Sequence, residues 1–107
     1  MRRNKFGNKT TEIDGRKFHS RSEAKRYQEL KLLEHSGQIS TLILQPRFPL
    51  FVEGFKVATY VGDFQYSESG RVIVEDVKGF ATDVFKLKAK IFKICYPQIE
   101  LRIVSAR

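Results

Sequence analysis

Four unexpected charged residues lie in two stretches of sequence whose pattern is otherwise typical of buried β-strands. Asp63 follows the apolar run TYVG, and Glu75, Asp76 and Lys78 lie within RVIVEDVKG. A charge that is buried without a partner destabilises a fold strongly. Two carboxylates that converge also repel each other unless a cation lies between them. These residues therefore predict either a cross-strand ion pair at a sheet edge or a site that binds a cation.

Side-chain alternation separates the two neighbouring acids of the second stretch. Asp76 and Lys78 share one face of the strand, and Glu75 lies on the other face. Asp76 is therefore the acid that can act together with the lysine. We expect Glu75 to face solvent or to pair with a basic neighbour, and a contribution of Glu75 to the cation site stays open.

The register between the two strands decides whether the acids meet. If Tyr66 pairs with Arg71 across the connecting loop, Asp63 lies opposite Val74. Asp76 is then diagonal to Asp63, with about 7–8 Å between the backbones. This register predicts that the two carboxylates converge on one point.

The ligands that this arrangement offers are all oxygen atoms. Asp63, Asp76, the backbone carbonyl of Val77 and water suit Mg²⁺ or Mn²⁺ better than Zn²⁺. A lysine at position 78 can orient or help deprotonate an attacking water and can stabilise charge that develops on phosphorus. Such a set of groups hydrolyses phosphodiesters. On these residues alone, an ordinary Asp–Lys salt bridge remains the alternative.

Periodicity and turn residues predict the elements that position these side chains. The last strand follows a helix, so we expect it to pair in parallel with its neighbour. The order of elements predicts an α/β fold with a mixed central sheet flanked by two helices. The predicted elements are a hairpin at 11–18, helices at 21–36 and 82–96, and strands at 39–45, 47–55 (with a turn near 53–54), 56–66, 71–79 and 99–104, with a four-residue hairpin loop at 67–70.

Both predicted helices carry recognisable capping residues. Ser20 and Glu23 have the spacing of a capping box, and Thr82 is the candidate N-cap of the second helix. Apolar residues recur at helical spacing in each helix. In the second helix the predicted buried stripe consists of Val84, Leu87, Ile91 and Ile94.

Composition limits the class of protein and its partners. The chain has 107 residues, with 20 Lys and Arg against 12 acids and a net charge of +8. We expect a flexible basic arm at 1–10 and a single domain at 11–107. Nucleic acid is the expected partner of such a positive field, although solubility is an alternative reason for it. The sequence has one cysteine and neither a long apolar run nor a secretory signal, which predicts a cytoplasmic protein without a membrane span.

The segments GDF (62–64), VEDVKGF (74–80) and SRSEAKRYQELKLL (20–33) together resemble the PD-(D/E)XK nuclease core and its first helix. With LQPRF (44–48), the chain from about residue 5 to 103 is similar to a family of small phage-encoded endonucleases of the Holliday-junction-resolvase type, long catalogued as a domain of unknown function. The resemblance implies a restriction-endonuclease-like core and a phage or prophage origin.

The resemblance also implies roles for individual residues. Asp63 and Asp76 would be metal ligands, Lys78 the catalytic lysine, and Glu23 the helix carboxylate that completes the metal site. Glu23 has an alternative role, which is to close the capping box on Ser20. The chain departs from the motif at Gly62, where the motif name has proline.

Two glutamines are candidates for supporting the site. Gln45 precedes Pro46 and can project towards the site from the end of its strand, and Gln65 shares a face with Asp63. An ordinary polar residue at a strand end is the alternative for Gln45.

Basic residues predict where DNA would bind. The lysines of the second helix form an exposed row that would attract phosphates without reading bases, or else a solvated helix face. No base-reading pattern is present, so we expect selection by DNA shape. The candidate DNA-binding residues are Arg2, Arg3, Lys5, Lys9, Arg21, Lys25, Lys86, Lys90 and Lys93, with Arg16, Lys17 and Arg26 as a possible extension.

These observations predict a Mg²⁺-dependent endodeoxyribonuclease that needs no small-molecule cofactor, and the resemblance implies most specifically a Holliday junction resolvase. A four-way junction has two symmetric strands to cut, so we expect a homodimer with two-fold symmetry. One alternative is a nuclease of the same fold that cuts nicks, flaps, mismatches or specific sites. Another is a catalytically silent DNA-binding module, although the Asp63, Asp76 and Lys78 triad is intact.

Overall fold

The computed structural model describes residues 10–106 and contains ten regular elements. Arg2, Arg3, Lys5 and Lys9 of the predicted basic arm lie outside this part of the chain. The strands are β1 (Thr11–Ile13), β2 (Arg16–Phe18), β3 (Ser40–Leu44), β4 (Arg47–Val52), β5 (Phe55–Val61), β6 (Phe64–Glu68), β7 (Arg71–Lys78) and β8 (Glu100–Ser105), and the helices are α1 (Arg21–His35) and α2 (Asp83–Cys95).

A four-stranded mixed sheet forms the centre, in the order β3-β6-β7-β8. β6 pairs antiparallel with both β3 and β7, and β8 pairs in parallel with β7 after the α2 crossover. Two antiparallel ribbons, β1-β2 and β4-β5, complete the fold. The predicted α/β class, the mixed sheet, the parallel last strand and the first hairpin are therefore confirmed. Within residues 10–106, neither helix is long and apolar enough to cross a membrane.

Two hydrophobic clusters hold the layers together. The α1 cluster joins α1 and the first hairpin to the sheet through the buried residues Phe18, Ala24, Tyr27, Leu30, Ile39, Phe64, Tyr66 and Ile73. The α2 cluster joins α2 and the β4-β5 ribbon to the sheet through Leu50, Tyr60, Val74, Ala89 and Phe92. Neighbouring residues of β7 thus point into different clusters, as strand alternation requires.

The predicted strand at 56–66 is wrong, because the structure divides it into β5 and β6. The chain turns at Gly62 and Asp63, where the Gly62 N–H donates to the Pro46 carbonyl at 3.0 Å. A Cβ atom on Gly62 would lie only 2.7 Å from a methyl carbon of Val74, so the backbone crosses the sheet where no side chain fits. This close approach explains the glycine at the position where the motif name has proline.

The predicted register of the β6-β7 hairpin is also wrong. Glu68 pairs with Arg71, and Phe64 pairs with Glu75. The connection is a two-residue turn at Ser69 and Gly70, both with positive φ, instead of the expected four-residue loop. The observed pairing of β6 with β7 is displaced from the predicted pairing by an even number of residues. Each side chain of β6 therefore stays on the face of the sheet that was predicted for it.

The predicted buried stripe of α2 is wrong for three of its four residues, and only Ile91 packs against the α2 cluster. Val84, Leu87 and Ile94 are 65%, 59% and 78% exposed, and the buried residues are Ala89 and Phe92. The Phe92 ring packs on Tyr60 and Phe48, with centroids 4.9 and 5.0 Å away. Aromatic rings bury more apolar area than aliphatic side chains, so α2 turns its aromatic stripe towards the core.

Candidate active site

The strand β7 ends in a pair of opposite charges on the α2 side of the sheet. Lys78 Nζ lies 3.3 Å from Asp76 Oδ1, and the Tyr60 hydroxyl donates a hydrogen bond to Asp76 Oδ2. The ammonium also lies 4.4 Å from the centre of the Phe85 ring at the start of α2. Asp76 is 1% exposed, whereas the Lys78 side chain is 32% exposed. The prediction that Asp76 and Lys78 share a face is therefore confirmed.

Asp63 lies beside this pair, at the bend between β5 and β6. Its carboxylate accepts the Val77 N–H at 2.7 Å, and its own N–H donates to the Glu75 carbonyl at 2.9 Å. The contact with residue 77 is thus made by its N–H group, and the carbonyl of Val77 stays a predicted ligand. The two predicted acids are brought to the same end of β7.

The pKa of Asp63 shows that several acids lie close together at this end of β7. The Asp63 pKa is raised to about 7, chiefly by burial and in addition by the negative charges of Asp76 and Glu23. The hydrogen bond from Val77 and the charge of Lys78 act in the opposite direction on this pKa. Asp63 is therefore a carboxylate whose ionised form lacks enough positive charge around it.

Glu23 lies in the first turn of α1, and it is 4% exposed. Its N–H donates to the Ser20 hydroxyl at 3.1 Å, and one of its carboxylate oxygens accepts the His19 N–H at 3.0 Å. The capping role is therefore present in a modified form, because the carboxylate bonds to residue 19 instead of residue 20. Glu23 also raises the pKa of the Asp63 carboxyl electrostatically, so its capping contact leaves it close to Asp63, and its role as a metal ligand stays a prediction.

A cleft of about 320 Å³ opens beside Asp63 and Glu23. Gln45 lines this cleft, and its backbone N–H donates to the Asp63 carbonyl at 2.9 Å, while its role in supporting the site stays a prediction. Gln45 has φ 51°, a conformation uncommon outside glycine and costly before a proline. Gln65 lies within β6 opposite Val74 and is not among the residues that line the cleft.

Glu75 is not exposed to solvent, so that part of its prediction is wrong. It is completely buried, and Arg26 binds both of its oxygens at 2.8 and 2.7 Å. The Tyr66 hydroxyl donates a hydrogen bond to the same carboxylate. The hydrogen bond between Arg26 and Glu75 raises the pKa of Arg26. The alternative prediction, pairing with a basic neighbour, is confirmed. Glu75 is saturated by these partners and faces α1, away from Lys78.

The oxygen atoms of the site suit a hard cation, but within residues 10–106 the carboxylates do not already form a metal-binding group. Across residues 10–106, no three His, Cys, Asp or Glu residues stand close enough together to hold a metal ion. Each acid of the site instead accepts a hydrogen bond from a donor of the protein. Asp63 accepts one from the Val77 N–H, Asp76 from the Tyr60 hydroxyl and Glu23 from the His19 N–H. A cation that keeps several of its own water molecules, as Mg²⁺ does, needs fewer protein ligands.

The predicted DNA-binding residues that the structure describes are all on the surface. Arg21 and Lys25 are exposed on α1, and Lys86, Lys90 and Lys93 are exposed on α2. Lys25 also lines a shallow cleft of about 210 Å³ between α1 and the end of β8. The two groups of cations lie on helices that pack in different clusters, so they do not form one row.

The partners of the two buried acids of β7, which are two tyrosines and an arginine, were missed in the sequence, and of these only Tyr60 contacts an acid of the site. Tyr60 and Tyr66 each cap a buried carboxylate of β7, and Arg26 neutralises one of them. Arg26 and Glu75 are 49 positions apart, and no local pattern links them. Only the rule that a buried acid needs a partner could have pointed to such residues, without naming them.

Comparison with known proteins gives a family for this chain but no described activity. No curated protein matches it. The family model described as "Protein of unknown function (DUF1064)" matches residues 3–107, so the protein belongs to the DUF1064 family.

Proposed function

We propose that the protein is a metal-dependent DNA endonuclease, and most specifically a nuclease that cuts four-way junctions. The observation that carries the proposal is the group at the end of β7, where Lys78 pairs with buried Asp76 beside the desolvated Asp63. An excess of acids over cations in a partly buried site is typical of catalytic centres. The resemblance of the sequence to PD-(D/E)XK nucleases, with a restriction-endonuclease-like core, supports the same activity.

Mg²⁺, or Mn²⁺ in its place, would be held by Asp63 and Asp76, with Glu23 and the Val77 carbonyl as further oxygen ligands. When bound, the ion supplies a Lewis acid and neutralises charge on the phosphate. Its positive charge would also favour the ionised form of Asp63, which burial and neighbouring acids disfavour.

The remaining groups of the site would act on the substrate and on each other. Lys78 is partly exposed and can reach a phosphate or the attacking water, while its contact with Phe85 restricts the ammonium. Tyr60 fixes the rotation of the Asp76 carboxyl from the core side. Glu23 is held by the N-cap of α1, so it approaches the site on a rigid element.

The substrate and assembly follow from the resemblance and from symmetry. A four-way junction would be cut by two protomers related by a two-fold axis, each of which nicks one strand. We propose a homodimer that acts on DNA in the cytoplasm, or in the host cytoplasm if the protein is encoded by a phage.

A second candidate, a DNA-binding module without activity, is favoured by one specific observation. In residues 10–106 the acids do not form a metal-binding group of three, and both oxygens of Asp76 already have partners. A fold that has lost catalysis would keep such internal contacts and the basic surface.

Cleavage of a synthetic four-way junction and of a linear duplex with the same arm sequence separates the candidates. Wild-type protein, Asp76→Asn and the control Asp83→Asn would be incubated with each DNA in Mg²⁺ and in EDTA, and the strands resolved on a denaturing gel. We expect paired, Mg²⁺-dependent cuts near the branch point, reduced about 1,000-fold or more by Asp76→Asn. Asp83 lies exposed in the first turn of α2, so its substitution should leave cleavage unchanged.

The other outcomes each exclude something. Equal cutting of the duplex would remove junction selectivity and leave a nuclease. Cutting by Asp76→Asn at the wild-type rate would overturn the assignment of the site. Binding of DNA without cuts in Mg²⁺ or Mn²⁺ would favour the silent module.

A further inference from the structure

The β1-β2 hairpin forms one wall of the cleft beside the candidate active site. Arg16, Lys17 and Phe18 of β2 line this cleft together with Glu23 and Asp63. β2 is only three residues long and leads directly to the N-cap of α1. The hairpin therefore brings two cations to the cleft that contains two of the site's carboxylates.

The hairpin is fixed to α1 and does not hang freely. The Tyr27 hydroxyl of α1 donates to Asp14 in the hairpin turn at 3.1 Å. The buried Phe18 ring packs on the Tyr27 ring, with centroids 4.9 Å apart. These contacts hold both ends of β2, so the two cations project from a supported backbone.

Arg16 and Lys17 are both exposed, and within residues 10–106 neither forms an ion pair. Arg26, by contrast, is used internally on Glu75. Two supported cations at the rim of an acidic cleft are therefore available to an external anion. An anion with only one charge would gain little here, because the acids of the cleft repel it.

We propose that Arg16 and Lys17 bind the backbone phosphates of the strand that is cut, on the side of the scissile phosphate nearest α1. A nucleic-acid strand suits the site because its charges repeat along the chain, so neighbouring phosphates can meet the cations while one phosphate lies over the carboxylates. This inference rests on the proposed function. It assigns the main DNA contact near the site to the hairpin and not to the lysines of α2.

The test compares two double variants that each lose two positive charges. Arg16→Ala/Lys17→Ala removes the cations of the cleft, and Lys31→Ala/Lys56→Ala is the control, since neither of its residues lines the cleft. All four residues are substantially exposed, so thermal unfolding should be similar. Binding of a fluorescent four-way junction would be measured by anisotropy in EDTA at several salt concentrations, where no cleavage occurs. Cleavage would be measured separately in Mg²⁺.

We expect the hairpin variant to bind about tenfold or more weakly than wild type and the control within about threefold. The slope of log affinity against log salt should fall by about 1–2 for the hairpin variant. In cleavage, KM should rise and kcat at saturating DNA should remain near the wild-type value, because the cations position the strand and do not act on the reacting atoms.

The outcomes distinguish the inference from the function on which it rests. If wild type cuts DNA but the hairpin variant matches the control, the phosphate contact is wrong and the nuclease stands. If the hairpin variant loses binding but wild type does not cut, the contact of Arg16 and Lys17 with DNA phosphates stands, and the nuclease and the assignment to a cut strand are wrong. Absence of DNA binding by wild type would overturn the contact, and so would a loss of kcat without a change in KM.

Discussion

Glu75 and Asp76 are consecutive acids of β7, both are almost fully buried, and each accepts a hydrogen bond from a tyrosine. Glu75 faces α1, where the two-pronged contact from Arg26 matches its charge. Asp76 faces α2 and meets the single ammonium of Lys78, with another acid, Asp63, beside it. The comparison teaches that burial of an acid does not decide its role. A carboxylate with all of its charge matched holds the fold together, and one left short of positive charge is available for a ligand.

Removal of the cation that pairs with each acid should give the largest difference between Glu75 and Asp76. Arg26→Ala leaves the Glu75 charge buried without its main partner and should destabilise the protein by about 3–5 kcal/mol. Lys78→Ala also removes the cation of a buried acid, but Lys78 is partly exposed, so it should destabilise the protein less than Arg26→Ala does while it abolishes cleavage. Urea unfolding of both variants, with cleavage assays on the folded protein, checks this.

A combined Arg26→Ala/Glu75→Gln variant is the control for the first of these effects. It should recover part of the lost stability, because the buried charge is removed with its partner. Equal destabilisation by Lys78→Ala and Arg26→Ala would break the comparison.

The pH dependence of stability tests whether the Asp63 carboxylate, which lies beside Asp76, lacks positive charge in the folded protein. The pKa of Asp63 is raised in the folded protein to about 7 from its ordinary value of 3.8, so between these values the folded state binds more protons than the unfolded state. Stability therefore falls as pH rises through this range and is constant above it, as far as Asp63 is concerned. Asp63→Asn can still accept the Val77 N–H and should lack this loss.

Urea midpoints of wild type and Asp63→Asn at pH 5, 6, 7 and 8 measure this effect. The advantage of the variant should grow with pH and reach about 1–3 kcal/mol near pH 8, allowing for the partial exposure of Asp63. An advantage that is constant across the range would show that Asp63 is not strained by its charge.

Substitution of the two tyrosines should have the smallest effects on stability, and only one of the two substitutions should slow cleavage. Tyr60→Phe and Tyr66→Phe each remove one buried hydrogen bond and should each cost about 1 kcal/mol in thermal or urea unfolding. Tyr60→Phe should also slow cleavage about tenfold, because the Asp76 carboxyl loses the contact that orients it. Tyr66→Phe should leave cleavage within about twofold, and a similar slowing by both would mean that the two acids are not functionally distinct.

Much of the site could be predicted from the sequence because it depends on local rules. Asp76 and Lys78 share a face by strand alternation within β7, a rule that does not depend on the register between β6 and β7. The placement of Glu23 followed from the N-cap at Ser20. Both inferences need only a few neighbouring residues.

The rest depends on contacts between distant parts of the chain. The bend at Gly62 brings the backbone close to Val74, which is distant in sequence, and periodicity cannot show this approach. The orientation of α2 was set by competition between an aliphatic and an aromatic stripe, which only the packing partners decide. The partner of Glu75 is a residue of α1, which the strand pattern does not indicate.

The close approach of Gly62 to Val74 has a consequence for how this protein tolerates substitution. Gly62 has no functional group, yet a side chain there would push apart the strands that place Asp63 next to the Val77 N–H. In a library in which every position is varied and the survivors are selected for activity, position 62 should accept almost nothing but glycine. It would be as invariant as Asp76 in such a selection, and only a separate measurement of folding would reveal that its constraint is one of space.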